Sequence, residues 1–409
     1  MTSPPRQHDE LSLGTDRPRA LWPRGWLATT VLVAAVAAAA GHQVGRRSAP
    51  DAAAPSVPPS PSATPAGTAG PPAPDVVGGQ PTATAFAGPR IGAAVAGRLV
   101  VAGRDVVVRA VAPDAVPEPV TGLPTRAQVR RVLPVRGGVL LLAVDPAVSD
   151  DVAGEVFLLP DGTTAARPLG VTAVNVLPGT TDETFWVDDP DRPAARGRAA
   201  EYALSGRLIR REEYAAGWSL IRGVVGGLLM RETGSAGSST GVTVWDSAKG
   251  ETPVRLPRAS VVVATTPTLL AWQSGECLVP LPDSCVVHVT ELRTRTTYPV
   301  PLPEGYGLAF GSFSPGGSRL ALAMFRDADL PLYADGAVVD LTSGELTQLQ
   351  GAAFTPPGSS HLAWTPDGNG LVLGAAGAGT TRLAAWRDGD AGVALLDGQY
   401  ADLAGLAIR

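Results

Sequence analysis

The sequence predicts an all-β fold, a seven-bladed β-propeller with four-stranded antiparallel blades, preceded by one N-terminal transmembrane helix and a disordered Pro/Ala-rich linker. Three observations lead to this prediction. Short apolar runs follow one another from Arg90 to the end, two markers recur about every 45 residues, and one long uncharged run lies near the N-terminus. The 48 glycines and 39 prolines among 409 residues favour turns and linkers over long helices.

The N-terminal part is predicted to be a tail followed by a membrane segment. Residues 1–24 are polar and have no apolar face, so they are expected to form a disordered cytoplasmic tail. The uncharged run Gly25–Gly41 would be roughly 26 Å long as a helix, close to the ~30 Å core of a bilayer. Residues 25–44 are therefore predicted to be a transmembrane helix or signal anchor, with more arginines before it than after it, which favours the N-terminus inside.

A cleaved signal peptide is the alternative reading of this segment. Ala38, Ala39 and Ala40 fit the small-residue pattern of a cleavage site. Residues 45–89 are rich in Pro, Ala, Ser and Thr and cannot build a core, so they are expected to form an extended, disordered linker. Both readings place the remaining chain outside the cytoplasm, either on the cell membrane through a single pass or secreted after cleavage.

Residues 90–409 are predicted to be the β-propeller. Apolar runs of four to eight residues, rich in Val and Leu, alternate with Gly, Pro, Asp and Ser, which is typical of many short strands. A tight turn after a strand recurs at seven places, and a large apolar residue in the preceding strand recurs in phase with it. The turn positions are Asp114, Gly162, Gly206, Gly250, Thr294, Gly344 and Gly389, and the strand positions are Leu99, Leu140, Trp186, Leu228, Leu269, Leu320 and Leu371.

Four short strands account for the length of each repeat, and radial repetition leaves no long open sheet edges. Six or eight blades, or a pair of β-sandwiches, remain the alternatives. Ring closure also has two candidates. Either the C-terminal run 401–409 or the run 91–97 supplies the innermost strand of the first blade.

Two of the repeats resemble a known family. The stretches Phe313–Ala323, FSPGGSRLALA, and Trp364–Gly374, WTPDGNGLVLG, are similar to the aromatic-S/T-P-D/G-G signature of TolB-like, WD-repeat-like propeller blades. The resemblance implies that an inner strand ends at the aromatic residue and that the second strand begins at the leucine. It also suggests a membrane-anchored bacterial protein of actinobacterial type, and it implies binding more than catalysis.

Long loops are predicted to share one face of the propeller. Connections between second and third strands are long in five successive repeats, and loops on one face of a rigid scaffold often carry binding residues. These connections are 145–154, 188–199, 232–241, 274–285 and 326–336. The densest polar clusters in them give the candidate binding residues Asp188, Asp189, Asp191, Asp327, Asp329 and Tyr333. Tolerated insertions carrying solvated charge are the alternative.

Charge limits the expected partners. The net charge of −5 gives no basic surface for nucleic acid. The acid-leaning loops favour a protein or envelope component, and the N-terminal helix favours a membrane. No cofactor is expected, although the loop carboxylates could attract Ca²⁺; neither cluster has EF-hand spacing.

The two cysteines are predicted to form a disulfide. Cys277 and Cys285 flank seven residues in one hairpin, and outside the cytoplasm such a pair is normally oxidised. On a chain-entropy basis the bond would contribute about 2–3 kcal/mol. Free thiols are one alternative, and zinc binding with His288 is another, although no fourth ligand is nearby.

No complete catalytic motif is recognisable. Gly237–Gly241 matches G-x-S-x-G but lacks a following helix, so we interpret it as a coincidence. His288 and His361 are expected to be structural. The chain is therefore predicted to be a binding, scaffold or sensor module and not an enzyme. The alternative is an exported lyase or hydrolase of envelope glycans that uses paired carboxylates near the propeller axis.

Overall fold

Twenty-eight strands make up the described part of the computed structural model. The predicted tail, transmembrane helix and linker lie outside this part. Among the described residues, no helix has the length and apolar character needed to cross a membrane. The structure describes residues 95–112, 114–145, 153–188, 196–215, 217–233, 239–245, 254–256, 259–278, 285–325, 334–354, 361–376, 381–390, 392–400 and 402–409.

The strands form seven four-stranded antiparallel sheets, so the prediction of a seven-bladed propeller is confirmed. Blades 1 to 3 use the strands up to Ala215 together with the C-terminal strand. Blade 1 consists of β1 (Val95–Ala102), β2 (Val106–Val111), β3 (Glu118–Pro119) and β28 (Gly405–Ile408); blade 2 of β4 (Gln128–Val135), β5 (Gly138–Val144), β6 (Gly154–Pro160) and β7 (Arg167–Ala173); blade 3 of β8 (Val176–Pro178), β9 (Thr184–Asp188), β10 (Arg196–Ala203) and β11 (Leu208–Ala215).

The other four blades follow along the chain, and the strands of each are given from the innermost to the outermost. Blade 4 consists of β12 (Trp218–Val224), β13 (Gly227–Thr233), β14 (Ser239–Trp245) and β15 (Val254–Leu256); blade 5 of β16 (Val261–Thr265), β17 (Leu269–Gln273), β18 (Val286–Glu291) and β19 (Thr297–Pro301); blade 6 of β20 (Ala309–Phe313), β21 (Arg319–Met324), β22 (Ala334–Asp340) and β23 (Leu346–Phe354); blade 7 of β24 (Leu362–Trp364), β25 (Gly370–Ala376), β26 (Thr381–Arg387) and β27 (Ala394–Tyr400).

The C-terminal strand closes the ring. β28 pairs antiparallel with β1, with Leu99 opposite Ile408 and Ala102 opposite Gly405, and so becomes the innermost strand of blade 1. This confirms the C-terminal candidate for closure. The rival run is wrong as an inner strand, because its described residues Val95–Gly97 begin β1, the second strand of the blade.

The third-to-fourth turns explain the recurring turn marker. Six of them contain a residue with positive φ at or beside the predicted position, a conformation that glycine adopts without steric cost. In blade 5, where the sequence has no glycine, Arg295 takes this conformation next to Thr294. Gly250 lies outside the described residues. The six residues are Asp114, Gly162, Gly206, Arg295, Gly344 and Gly389.

The second marker lies in the second strand of every blade, as predicted. Six of its seven residues are buried, and Leu269 packs against a core from a partly buried position. The described residues form seven hydrophobic clusters, each lying between two neighbouring blades. Face-to-face packing of adjacent sheets therefore supplies the core, and each blade depends on both of its neighbours.

The turn Thr365–Asn369 has the geometry that the family resemblance implies. β24 ends at Trp364, and the second strand begins at Gly370 and Leu371. The hydroxyl of Thr365 donates to Asp367 Oδ1 at 2.5 Å and accepts the N–H of Gly370 at 2.8 Å. The Ser/Thr, Asp and Gly of this motif are therefore turn chemistry.

Candidate functional site: the long-loop face and the central channel

Sheet order places all second-to-third connections on one face of the propeller, which we call the long-loop face. The fourth-to-first connections lie on the same face, whereas first-to-second and third-to-fourth turns form the opposite, turn face. In blades 3 and 4 the flanking strands extend further than predicted, so the connections expected at 188–199 and 232–241 shorten to 189–195 and 234–238. The second-to-third connections are 103–105, 145–153, 189–195, 234–238, 274–285, 325–333 and 377–380.

Asp188 is the only predicted binding residue within the described part of the chain. It ends β9 and is 2% exposed, so its carboxylate faces protein and not solvent. Its backbone N–H donates to the carbonyl of Asn175 at 3.4 Å. Asp189, Asp191, Asp327, Asp329 and Tyr333 lie outside the described residues, so the binding role of the whole set stays a prediction.

A disulfide between Cys277 and Cys285 spans the blade 5 connection, as predicted. Their Cα atoms are 5.8 Å apart, and both side chains are buried in the cluster between blades 5 and 6. The alternatives of free thiols and zinc binding are therefore wrong. Among the described residues, no group of three or more potential ligands could hold a metal ion.

Hydrogen bonds connect blades 5 and 6 beneath the long-loop face. The buried amide of Gln273 bridges to blade 6, donating to Gly307 O and accepting from Ala309 N, both at 2.9 Å. The Tyr306 hydroxyl donates to Asp335 at 2.5 Å. These contacts fix the bases of the connections at blades 5 and 6.

The two histidines have structural surroundings. His361 is buried, and its Nε2 lies 3.0 Å from the carbonyl of Leu403, which precedes the closing strand. His288 stacks on Trp272 with ring centroids 4.4 Å apart. Burial lowers the pKa of both histidines. Ser239 begins β14, a strand, so the G-x-S-x-G match has no nucleophile elbow.

The innermost strand of each blade lines the central channel. All seven of these strands are described, and none of them contains Asp or Glu. Their charged residues are Arg130 and Arg131 on β4 and Arg222 on β12. The channel wall can therefore supply positive charge, but not the pair of carboxylates on which the glycan-cleaving alternative depends.

Arg131 lies on β4 beside a β-bulge between Val129 and Arg131. Its Nε donates to Asn175 Oδ1 at 3.2 Å, across the gap to blade 3. The side chain is exposed, yet burial lowers the pKa of its guanidinium. The guanidinium is therefore open to solvent, although the neighbouring protein removes part of its hydration.

Arg222 occupies the opposite end of the channel wall, near the turn face. It is 8% exposed and donates to Thr265 O at 2.8 Å, Gly223 O at 3.1 Å and Gly179 O at 3.3 Å. It thus links blades 3, 4 and 5 through carbonyl groups. Burial lowers the pKa of Arg222 to about 10, so it remains charged at neutral pH.

The sequence analysis did not predict these arginines, because its candidate binding residues were restricted to the acid-rich loops. Once the repeat assigns the first strand of each blade, reading charge along those strands shows arginines with no acids among them. The first strand can be assigned from a clear motif only in blades 6 and 7, so this signal is not available from the sequence in blades 2 and 4.

Comparison with known proteins shows similarity in fold. No protein-family model matches this sequence. No curated protein matches it. Among solved structures, TolB from Acinetobacter baumannii is 11% identical with a TM-score of 0.44, covering 76% of this chain and 66% of that chain. The β-propeller domain of Cps50 (Swd1) from Myceliophteria thermophila is 14% identical with a TM-score of 0.43, covering 68% and 90%.

Prolyl oligopeptidase B from Galerina marginata is 9% identical with a TM-score of 0.46, covering 74% of this chain and 48% of that chain. The chain thus spans just under two thirds of the TolB chain and about half of the peptidase. These similarities concern the propeller fold and assign no activity or partner. TolB is thus among the structural neighbours of the chain, and the TolB-like family, membrane anchoring and actinobacterial type stay predictions.

Proposed function

We propose that the chain is a binding, scaffold or sensor module whose long-loop face captures a protein, peptide or envelope component. The observation that carries this proposal is that the second-to-third connections of blades 2, 3, 5 and 6, with seven to twelve residues each, lie on one face. Every connection on the other face except 246–253 has two to six residues. Hydrogen bonds such as those of Gln273 hold the bases of the connections at blades 5 and 6 in fixed positions. A rigid base with variable loops is the usual arrangement of a binding face.

The module is placed outside the cytoplasm, held on the membrane by residues 25–44. The disulfide between Cys277 and Cys285 supports this placement, because such bonds persist mainly in oxidising compartments. A linker of residues 45–89 would separate the propeller from the bilayer. Cleavage after the signal would release the same module without changing its binding face.

A loop-replacement experiment tests the proposal. Residues 145–153, 189–195, 234–238, 278–284 and 326–333 are replaced by short turns in the full chain, which keeps the disulfide and the buried Phe325. Partner capture from the native envelope is then measured by mass spectrometry. Capture should be lost while cooperative unfolding remains. In the matched control, the turn-face segments 161–166 and 341–345 are replaced by short turns instead. This variant should capture the partner as well as the wild-type chain does. Undiminished capture by the loop-replaced chain would exclude the long-loop face as the binding surface.

A further inference from the structure

We propose that the central channel contains a binding site for a small oxyanion, a carboxylate or a phosphate group, held by the guanidinium of Arg131. This site goes beyond the partner-binding role of the long-loop face and does not depend on it. The argument uses the charge of the channel wall, the geometry of Arg131 and the environment of its guanidinium.

The channel wall has one sign of charge. The whole chain carries a net charge of −5, yet its seven innermost strands contain three arginines and no acidic residue. A concave wall with charge of one sign concentrates counter-ions, because the low-dielectric protein focuses the field into the opening. The channel should therefore attract anions although the protein as a whole is acidic.

Arg131 has free donors that suit an oxyanion. Its Nε is held by Asn175 Oδ1 at 3.2 Å, which fixes the plane of the guanidinium. Within the described part of the chain, no group accepts a hydrogen bond from either of its Nη nitrogens. Two parallel Nη N–H groups form the fork that binds a carboxylate or phosphate through two hydrogen bonds.

The surroundings of Arg131 favour occupation by an anion. Protein atoms crowd its guanidinium enough to lower the pKa, so the charge lacks part of its normal hydration. An anion bound at the fork would offset that loss.

Arg222 contributes charge but no contact. Its donors are occupied by carbonyl groups of three blades, and none of these partners is a carboxylate. Its positive charge near the turn face is therefore uncompensated by its own hydrogen-bond partners. Since Asn175 directs Arg131 toward the long-loop face, a ligand would enter from that side.

Equilibrium dialysis of the full chain tests the site, with inorganic phosphate and succinate as separate probes and sodium chloride holding ionic strength constant. The two probes distinguish a phosphate from a carboxylate source. Arg131→Gln removes the guanidinium and its charge, whereas Arg131→Lys keeps the charge and loses the fork. The matched control is Arg104→Gln, because Arg104 lies on the same face, is 75% exposed and is away from the inner strands.

Wild-type protein should bind at least one probe saturably. Arg131→Gln should lower that affinity at least about tenfold, Arg131→Lys by an intermediate factor, and Arg104→Gln by less than about twofold. The loop-replaced chain retains Arg131 and should still bind the anion. The proposal is overturned if wild-type protein binds neither probe saturably, or if a folded Arg131→Gln variant binds as tightly as wild type.

Discussion

At the scale of single residues, the side chains of Thr365 and His361 each contribute to stability through local contacts. Unfolding measurements on single variants can determine each contribution. Thr365 is buried, and its hydroxyl donates to Asp367 Oδ1 and accepts the N–H of Gly370, while its own backbone N–H donates to Gly370 O. His361 is buried beside the strand that closes the ring. Neither residue belongs to the proposed binding surfaces, so their replacement should change stability without changing binding.

Thr365→Val should lower the free energy of unfolding by about 1–3 kcal/mol, because the N–H of Gly370 loses its hydroxyl acceptor in a buried turn. Urea denaturation with an unchanged m-value is the measurement. Thr163→Val is the matched control, since Thr163 is exposed in a third-to-fourth turn and should cost at most about 0.5 kcal/mol. Equal losses in the two variants would show that burial of the Thr365 hydroxyl is irrelevant.

His361 should make stability depend on pH. Burial lowers its pKa below the ordinary 6.5, although the hydrogen bond to Leu403 opposes this shift. Below about pH 6.5 the unfolded chain binds a proton that the folded protein excludes. The contribution of His361 to the free energy of unfolding is therefore fully present above that pH. This contribution is lost as the pH falls from 6.5 toward the pKa of His361 in the folded protein. His288, whose pKa is also lowered by burial, contributes with the same sign.

Unfolding midpoints at pH 7.5 and 5.5 measure this effect. His361→Asn should show a smaller difference between the two pH values than wild-type protein, and the variant that also carries His288→Asn should show the smallest. The same pH difference in wild type and His361→Asn would mean that the imidazole gains its proton in the folded state as easily as in the unfolded chain.

At the scale of elements, the third-to-fourth turns differ in how well their sequences match their geometry. Gly344 in blade 6 and Arg295 in blade 5 occupy corresponding turns with φ of 76° and 60°. A Cβ at Gly344 would meet no atom within 4 Å, so only backbone conformation opposes a side chain there. The blade 5 turn has no glycine, so Arg295 carries the backbone strain of the left-handed region there.

Gly344→Ala should destabilise the protein by roughly 1 kcal/mol, because an L-residue is strained in the left-handed region. Arg295→Gly should change stability in the opposite direction or leave it unaltered, since relief of strain is offset by greater freedom of the unfolded chain. Thermal and urea midpoints of the two variants provide the comparison. Destabilisation by Arg295→Gly larger than that by Gly344→Ala would contradict this view of the turns.

At the scale of the whole molecule, the sequence predicted the ring but not the channel. The number of blades follows from turn chemistry and from buried second-strand residues such as Leu140 and Leu371, which any such ring requires. The direction of Arg131 depends on a β-bulge and on Asn175, 44 residues away along the chain. Neither of these can be recognised from a local sequence pattern. A bulge adds one residue to a strand, so it reverses the alternation of side chains from which the face of the sheet is normally inferred.

The candidate loop residues show a second limit of sequence reasoning. The sequence pattern places Asp188 in the connection 188–199, but Asp188 pairs with Ala199 at the end of β9 and is buried. A strand extended by one residue is enough to turn a loop position into a core position. In contrast, the pairing of Cys277 with Cys285 was predictable, because two cysteines in one hairpin have little choice of partner.

The central claim is that the long-loop face, and not the turn face, meets the partner. Photo-crosslinking in intact cells tests it most directly, with a photoreactive residue replacing either Arg104 on the long-loop face or Arg293 on the turn face of the full chain. Both arginines are exposed, which makes the positions comparable. A discrete crosslinked partner should form from position 104 and not from position 293. Crosslinking of the same partner from position 293 alone, or equally from both, would contradict the claim.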